Sequence, residues 1–162
     1  MNDRVDNLLS QWSEQRPELN NSSLDVVVRV QELAKLLRRD EDEELAKLGL
    51  KMWEYDVLSA LRRQGGGYSL PASDLARESM LSSGAMTNRI DRLESRALVE
   101  RHVDPDDRRS VRVTLSLIGK TLIDKALESR LALADEQIAL LDNEERHALA
   151  AGLRKVTNVV NE

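Results

Sequence analysis

Residues 81–114 read LSSGAMTNRIDRLESRALVERHVDPDDRRSVRVT, and this stretch decides the fold. Its first half carries apolar residues at the i, i+4, i+7 and i+11 spacing of one helical face, namely Met86, Ile90, Leu93 and Ala97. Ser82 or Ser83 can cap the beginning of this helix, because a serine oxygen accepts a hydrogen bond from an unpaired amide of the first turn. The stretch therefore predicts a short helix with one buried face.

The opposite face of that helix is small at its beginning and polar further on. Such a face fits the major groove of DNA, where base edges present hydrogen-bond donors and acceptors. We predict contacts to base edges or phosphates from four residues, Ser83, Thr87, Asn88 and Arg92. The alternative is an ordinary solvated face, on which Asn88, Arg92 and Arg96 interact at i,i+4 spacing.

A charged β-hairpin follows the helix. Residues 98–101 and 111–115 are β-prone runs with partial alternation, so they are predicted to pair as strands. Residues 104–107 read DPDD, in which proline fixes φ and the Asp side chains form local hydrogen bonds of a turn. Arg108 and Arg109 then lie near the tip, where a guanidinium can enter the minor groove. A helix followed by an arginine-tipped hairpin predicts a winged helix-turn-helix.

Four fragments together resemble one family of DNA-binding proteins. They are SLPASDLA at 69–76, SGAMTNRIDRLE at 83–94, LVER at 98–101 and DPDDRRSV at 104–111. The chain resembles MarR-type transcriptional regulators over nearly its whole length. The resemblance implies a homodimer whose terminal helices interlock, and it implies double-stranded DNA with a pseudo-palindromic operator as the partner.

Composition limits the class of protein. The 162 residues are enough for one compact domain, and the absence of Phe leaves its core to Leu, Val, Ile and Ala. There is no cysteine, which excludes disulfides and thiolate metal sites. Neither a signal peptide nor an apolar run of about 18 residues is recognisable, so we expect a soluble cytoplasmic protein without a membrane partner.

Charge is distributed unevenly along the chain. The formal net charge of −5 by itself argues mildly against binding to nucleic acid. Residues 77–112, however, hold eight Arg and seven acidic residues, a net charge of +1, so the remainder carries −6. Because the guanidinium of arginine forms bidentate hydrogen bonds with phosphate and guanine, we expect this segment to face DNA and the acidic remainder to face away.

The helical periodicity divides one compact domain into three parts. Residues 1–50 are predicted to be N-terminal helices, including an extra helix at 2–15, and residues 51–115 to be the winged helix-turn-helix. Residues 116–162 are predicted to be two C-terminal helices. The expected fold class is mainly α with a small β-hairpin wing, and its N- and C-terminal helices build a dimerisation region.

The two C-terminal helices carry more apolar surface than a winged domain can cover. Ser116 can cap the first helix, and Asp142 with Glu145 forms a capping-box pair at the second. Leu149, Leu153 and Val156 recur on one face of the second helix. The simplest partner for these faces is a second copy of the chain, and a self-contained monomeric bundle is the alternative.

Three residues from different helices form a candidate ligand site, namely Trp12, Asp56 and Arg89. Arg89 lies about 60–70° from the apolar centreline of its helix, so it points toward the neighbouring helix more than toward the groove. A buried Asp56 opposite Arg89 would be an ion pair that an anionic planar ligand displaces, and Trp12 could supply a stacking face. The alternative is a capped Trp with an ordinary structural salt bridge.

With these three residues, the chain also resembles the urate-responsive branch of the MarR family, which includes PecS-like proteins. That branch has an added N-terminal helix bearing a Trp, an Asp in a segment similar to YDVL at 55–58, and an Arg in the recognition helix. The resemblance implies that urate, or a related aromatic anion, binds as a small-molecule effector and releases DNA. Phenolic or other aromatic ligands are alternative effectors.

The sequence contains no constellation for catalysis or for metal binding. His102 and His147 stand alone, and Asp91 and Glu94 are not placed as an acid/base couple. We therefore predict no catalytic residue, no metal site and no cofactor apart from a possible effector. The predicted function is a sequence-specific transcriptional repressor, and the alternative is a helical interaction module that does not read DNA.

Overall fold

The computed structural model describes residues 2–104 and 110–160 of the 162-residue chain. In these residues the elements follow in the order α1 Arg4–Gln15, α2 Ser22–Lys47, α3 Met52–Arg62, β1 Ser69–Pro71, α4 Ala72–Glu78, α5 Ser83–Ser95, β2 Val99–Val103, β3 Val111–Leu115, α6 Leu117–Gln137 and α7 Asn143–Val160. The predicted fold class, mainly helical with a small sheet as a wing, is confirmed.

The helices begin at the capping residues that the sequence indicates. The hydroxyl of Ser82 accepts a hydrogen bond of 3.3 Å from a first-turn amide of α5, and that of Ser116 accepts one of 2.9 Å in α6. Asp142 and Glu145 exchange two reciprocal hydrogen bonds of 2.9 Å at the beginning of α7. Each cap satisfies an amide that has no partner within its helix, which typically contributes about 1 kcal/mol.

The hydrophobic core lies where α3 and α5 meet the sheet and α6. Its largest fully buried side chains include Leu45, Leu58, Leu61, Leu75, Met86, Leu93 and Ile123. These residues come from every helix between α2 and α6. Since burying one such side chain contributes about 1.5–3 kcal/mol, the core holds α5 firmly by its apolar face and leaves its other face outward.

Helix α5 is shorter than its apolar spacing predicted. It ends at Ser95, and Ala97 has φ +54°. The amide of Leu98 then donates to the carbonyl of Leu93 at 3.0 Å, and Leu98 is buried beyond the turn. This is a Schellman ending, so the assignment of Ala97 to the helical stripe was wrong, because the chain reverses there to enter β2.

The antiparallel sheet has the strand order β1-β3-β2, which is one strand more than the sequence predicted. Val113 of β3 lies between Leu70 of β1 and Arg101 of β2. The three-residue β1 ends in Pro71 and is too short to show alternation. Arg108 and Arg109, which were predicted to lie near the hairpin tip, are outside the described residues.

One glycine allows α6 to sit directly on the end of the sheet. A Cβ atom at Gly119 would lie 2.0 Å from the carbonyl oxygen of Leu98. No side chain fits at that distance, so glycine is required for the close approach. The first turn of α6 is thereby fixed against the residue that leads from α5 into β2.

The terminal helices leave apolar side chains uncovered. Helix α7 has no buried residue, and Leu149, Leu153 and Val156 on its apolar stripe are between 37% and 49% exposed. Apolar side chains of α2 and α6, including Val26 and Leu131, are exposed as well. Among the described residues, no helix combines the length and the apolarity that crossing a membrane requires.

Candidate functional site

Helix α5 presents a continuous polar face to solvent. Ser83, Thr87, Asn88 and Arg92 are all exposed, as the sequence predicted for a DNA-reading face. The hydroxyl of Thr87 donates to the carbonyl oxygen of Ser83 at 2.9 Å, which leaves its oxygen available as an acceptor. The buried stripe of Met86, Ile90 and Leu93 aims this face outward, beside β2.

The two acidic residues on the same helix are paired by an arginine from the wing. Arg101 of β2 makes an ion pair with Asp91 and a second contact of 3.5 Å with Glu94. The partner of these acids thus lies across the junction of helix and hairpin, and not on α5 itself. The pairing places a positive charge beside two carboxylates that would otherwise repel phosphates.

Arg96 does not lie on the outer face, where the sequence placed it. Its guanidinium donates to Glu54 of α3 at 2.7 Å and to the carbonyl oxygen of Gly49 at 3.0 Å. Glu54 is only 4% exposed and also accepts a hydrogen bond of 2.8 Å from the amide of Lys51. Arg96 therefore ties the end of α5 to the beginning of α3 and is not available to DNA.

The base of the hairpin is braced by a buried carboxylate. Asp104 is 5% exposed and accepts a hydrogen bond of 2.9 Å from Arg112 of β3. The amide of Asp104 donates to the carbonyl oxygen of Ser110 at 3.0 Å, which joins the two strands where the described part of the hairpin ends. The sequence predicted a turn here, but the partnership of Asp104 with Arg112 depends on strand register and was missed.

A cavity of about 1040 Å³ opens between α2, α3, α5 and α6. Asp56 and Arg89, two of the three predicted ligand residues, both line it, together with Trp53, Tyr55 and Arg130. Arg89 and Arg130 each lie over an aromatic ring of α3, with guanidinium carbons 5.3 Å from the centre of Trp53 and 4.7 Å from that of Tyr55. The cavity thus combines aromatic surface with four basic and three acidic side chains, namely Lys51, Arg63, Arg89 and Arg130 against Asp42, Asp56 and Glu78.

Asp56 is not the buried partner of Arg89 that the sequence suggested. Its side chain is exposed, and among the described residues no cation lies within the 4.0 Å of an ion pair. Partial desolvation raises the pKa of Asp56, although the more distant charges of Arg38, Arg130 and Arg89 oppose the shift. The carboxylate is therefore a negative group at the cavity wall, surrounded by arginines but not joined to one.

Trp12 lies in a different place from the other two predicted ligand residues. It is 52% exposed and lines a separate cleft of about 420 Å³ with Leu24 at the beginning of α2. The cavity that holds Asp56 and Arg89 is lined by Asp42, which also belongs to α2. Leu24 and Asp42 are 18 residues apart, which corresponds to about 27 Å along the helix at 1.5 Å per residue. One protomer brings Asp56 and Arg89 together but does not bring Trp12 to them.

In the part of the chain that the structure describes, no group of three or more His, Asp or Glu side chains could hold a metal ion. His102 lies 3.5 Å from Glu100 on the exposed side of β2. His147 contacts the carbonyl oxygen of Asn143 within its own helix. Both histidines are surface residues with local partners.

Comparisons with known proteins agree with this geometry. A family model described as the MarR family matches residues 48–110. The HTH-type transcriptional regulator PecS of Dickeya dadantii is 30% identical over 152 residues, which cover 94% of this chain and 92% of PecS. AbsC, a MarR family transcriptional regulator from Streptomyces coelicolor, has 26% identity and a TM-score of 0.77, with 88% of this chain and 97% of AbsC covered.

A DNA complex is among the similar solved structures. A mutant of MarR from E. coli, complexed with operator DNA, has 25% identity and a TM-score of 0.70, with 84% of this chain and 96% of that chain covered. The relatives are transcriptional regulators rather than enzymes, as the sequence led us to expect. Their similarity extends over both the winged segment and the terminal helices, and the chain belongs to the MarR family of winged helix-turn-helix transcriptional regulators.

Proposed function

We propose that the protein is a homodimeric repressor that binds a pseudo-palindromic operator and releases it when urate or a related aromatic anion binds. One observation carries the DNA-binding part, namely the exposed polar face of α5 formed by Ser83, Thr87, Asn88 and Arg92. Two copies of this helix would enter successive major grooves about 34–36 Å apart. Arg108 and Arg109 would reach the flanking minor grooves.

Uncovered apolar faces support the homodimer. The exposed apolar side chains on α2, α6 and α7 belong to helices outside the winged segment, and those on α7 recur at helical spacing. Stripes of this extent are more typical of an interface than of a monomer surface. A symmetric pair would bury them and would hold two copies of α5 at a fixed separation, as a two-fold operator requires.

The cavity beside Asp56 and Arg89 supports an anionic effector. Arg89 belongs to α5, so a ligand that contacts it would bias the position of the helix that reads DNA. The cavity and the Trp12 cleft lie at different positions along α2, about 27 Å apart. If a Trp12 side chain completes the site, it would have to come from the partner subunit. The effector acts only if it binds the DNA-bound and free arrangements with different affinity.

Gel shifts of the purified protein on the DNA upstream of its own gene test this proposal, with and without urate. We expect saturable binding that weakens as salt rises, a preference over a scrambled duplex, and release by urate. Salicylate and other phenolic acids, tested in parallel, separate the two classes of effector. Absence of salt-dependent duplex binding would favour a helical interaction module as the function. DNA binding without release by any of these compounds would contradict only the effector part of the proposal.

A further inference from the structure

Two arginines in the cavity each cover an aromatic ring, but they are held very differently. Arg130 makes an ion pair with Glu41 of α2 while it lies over Tyr55, and both charged side chains are mostly shielded from solvent. Arg89 lies over Trp53, and among residues 2–104 and 110–160 no carboxylate comes within 4.0 Å of it. Arg89 can therefore leave its ring without breaking an ion pair, whereas Arg130 cannot.

Trp53 has the properties of a fixed stacking surface. It is partly buried and packs against the core, and the indole also lines the cavity. A side chain held in this way loses little conformational freedom when a ligand stacks on it. Trp12, in contrast, is more than half exposed and lies in another cleft of the protomer.

We propose that Trp53 is the stacking surface of the effector site, and that a planar aromatic anion binds by taking the place of the Arg89 guanidinium over the indole. The ring of the ligand lies on Trp53, and its negative group pairs with the displaced Arg89. Lys51, which also lines the cavity, adds a positive charge for the same anion, whereas Arg63 is paired with Glu78 at 4.0 Å. This inference rests on the proposed effector response and names the side chain that recognises the aromatic ring.

Replacement of the Arg89 guanidinium by a ligand ring over Trp53 would act directly on the helix that reads DNA. Arg89 follows Asn88 on α5, so the contact between Arg89 and Trp53 joins the reading helix to α3 across the cavity. Stacked carbon atoms lie about 3.5–4.0 Å apart, so insertion of a ring moves Arg89 outward by about that distance. Loss of the contact between Arg89 and Trp53 removes this link between α5 and α3, and a change in the position of α5 would alter how two copies of the helix fit successive grooves.

Indole N–H resonances in a nitrogen-15 spectrum test the inference, because the chain has only two tryptophans. Trp12→Phe and Trp53→Phe assign the two signals. Urate and salicylate serve as planar probes, and acetate serves as an anion without an aromatic ring. We expect the Trp53 signal to shift saturably with the aromatic probes and to stay in place with acetate. Its midpoint without DNA should lie at or below the midpoint of DNA release, because DNA opposes the binding of an effector that favours the free arrangement.

A pair of variants separates stacking from packing at the same position. Trp53→Phe retains an aromatic face and Trp53→Leu removes it, so probe affinity should fall by about tenfold in the leucine variant and much less in the phenylalanine variant. Thermal unfolding and duplex affinity without probe are recorded for each variant. Binding of the probe is measured by calorimetry without DNA, so a change in DNA affinity cannot be mistaken for a change in the site.

The outcomes distinguish this inference from the proposed function. If the probes release DNA while only the Trp12 signal shifts, or while Trp53→Leu responds like the parent, the stacking assignment is wrong and the repressor proposal stands. If duplex binding is observed but no aromatic probe binds or releases DNA, the effector response and this inference both fail. If the Trp53 signal shifts and the leucine variant is insensitive, the inference holds.

Discussion

Arg92, Arg96 and Arg101 lie within ten residues of one another, yet each has a different environment. Arg96 makes an ion pair with Glu54 of α3, and Arg101 makes one with Asp91 of α5. Arg92 is exposed, and among the described residues no carboxylate lies within the 4.0 Å of an ion pair with it. Of these three guanidinium groups, that of Arg92 is the one that can reach bases or phosphates.

Replacing Arg92 with Ala should therefore lower operator affinity by about 1–3 kcal/mol, with a smaller loss on a random duplex, because a base contact is lost. Fluorescence anisotropy on the two duplexes at one salt concentration measures the difference. Arg154→Ala on α7 is the control, since it removes the same charge from a helix remote from α5. An equal loss on both duplexes would identify Arg92 as a phosphate contact instead.

Arg101→Ala should weaken binding to any duplex, because Asp91 and Glu94 are then left uncompensated on the DNA-facing side of α5. We expect a loss of about tenfold at low salt, since like charges brought together across an interface are costly. Adding Asp91→Asn to the variant should restore much of the affinity. Should the double variant bind no better than Arg101→Ala, Arg101 contacts DNA directly rather than shielding the acids.

At the scale of elements, the pair of Arg96 and Glu54 joins the recognition helix to α3. Arg96→Ala leaves a buried carboxylate with the amide of Lys51 as its remaining hydrogen-bond donor. Because Arg96 is partly exposed, we expect a modest decrease of about 1–2 kcal/mol in the free energy of unfolding. Urea denaturation measures it, with Arg92→Ala on the same helix as the matched control.

A second substitution shows whether the decrease comes from this pair. Glu54→Gln keeps a residue that can reach back to the amide of Lys51 but removes the buried charge. In a double-mutant cycle, the combined variant should be more stable than the sum of the two single effects predicts. Simple additivity would mean that Arg96 stabilises the helix end through Gly49 alone.

The sequence predicted those elements whose pattern is local. The stripe of Met86, Ile90 and Leu93 and the capping residues Ser116 and Asp142 act within their own helices, so periodicity and side-chain chemistry are enough to recognise them. The end of α5 was misplaced because alanine suits a helix, whereas the left-handed turn at Ala97 is imposed by the path of the chain into β2.

The parts that were missed depend on contacts between elements. Arg101 meets Asp91 only because the wing folds against α5, and Arg112 meets Asp104 only in one strand register. In the candidate ligand site, Arg89 was recognised from its position on the flank of its helix and Asp56 from the YDVL segment, and both residues line one cavity. Trp53 was not among the predicted ligand residues, because nothing in its spacing shows that one face borders a cavity.

On the scale of the whole molecule, the basic segment and the apolar stripes of the terminal helices occupy different parts of the chain. Residues 77–112 have a net charge of +1 against −6 for the rest of the chain, and the uncovered apolar stripes lie on helices outside that segment. A dimer held together by the terminal helices would bury the stripes and leave both basic segments free for DNA. Operator affinity should then depend on the integrity of an interface far from any base contact.

Leu153→Asp tests this dependence, because it places a carboxylate in the apolar stripe of α7. Burial of an unpaired charge should weaken the dimer by about 3 kcal/mol, or about a hundredfold, which light scattering coupled to size-exclusion chromatography can measure. Operator affinity should fall with dimer content, since two half-sites are no longer bound together. Asn158→Asp adds the same charge on the opposite face of α7 and should leave the dimer intact. A parent protein that is monomeric at micromolar concentration would contradict the dimer. A Leu153→Asp variant that stays dimeric would show that the apolar stripe of α7 does not form the dimer interface.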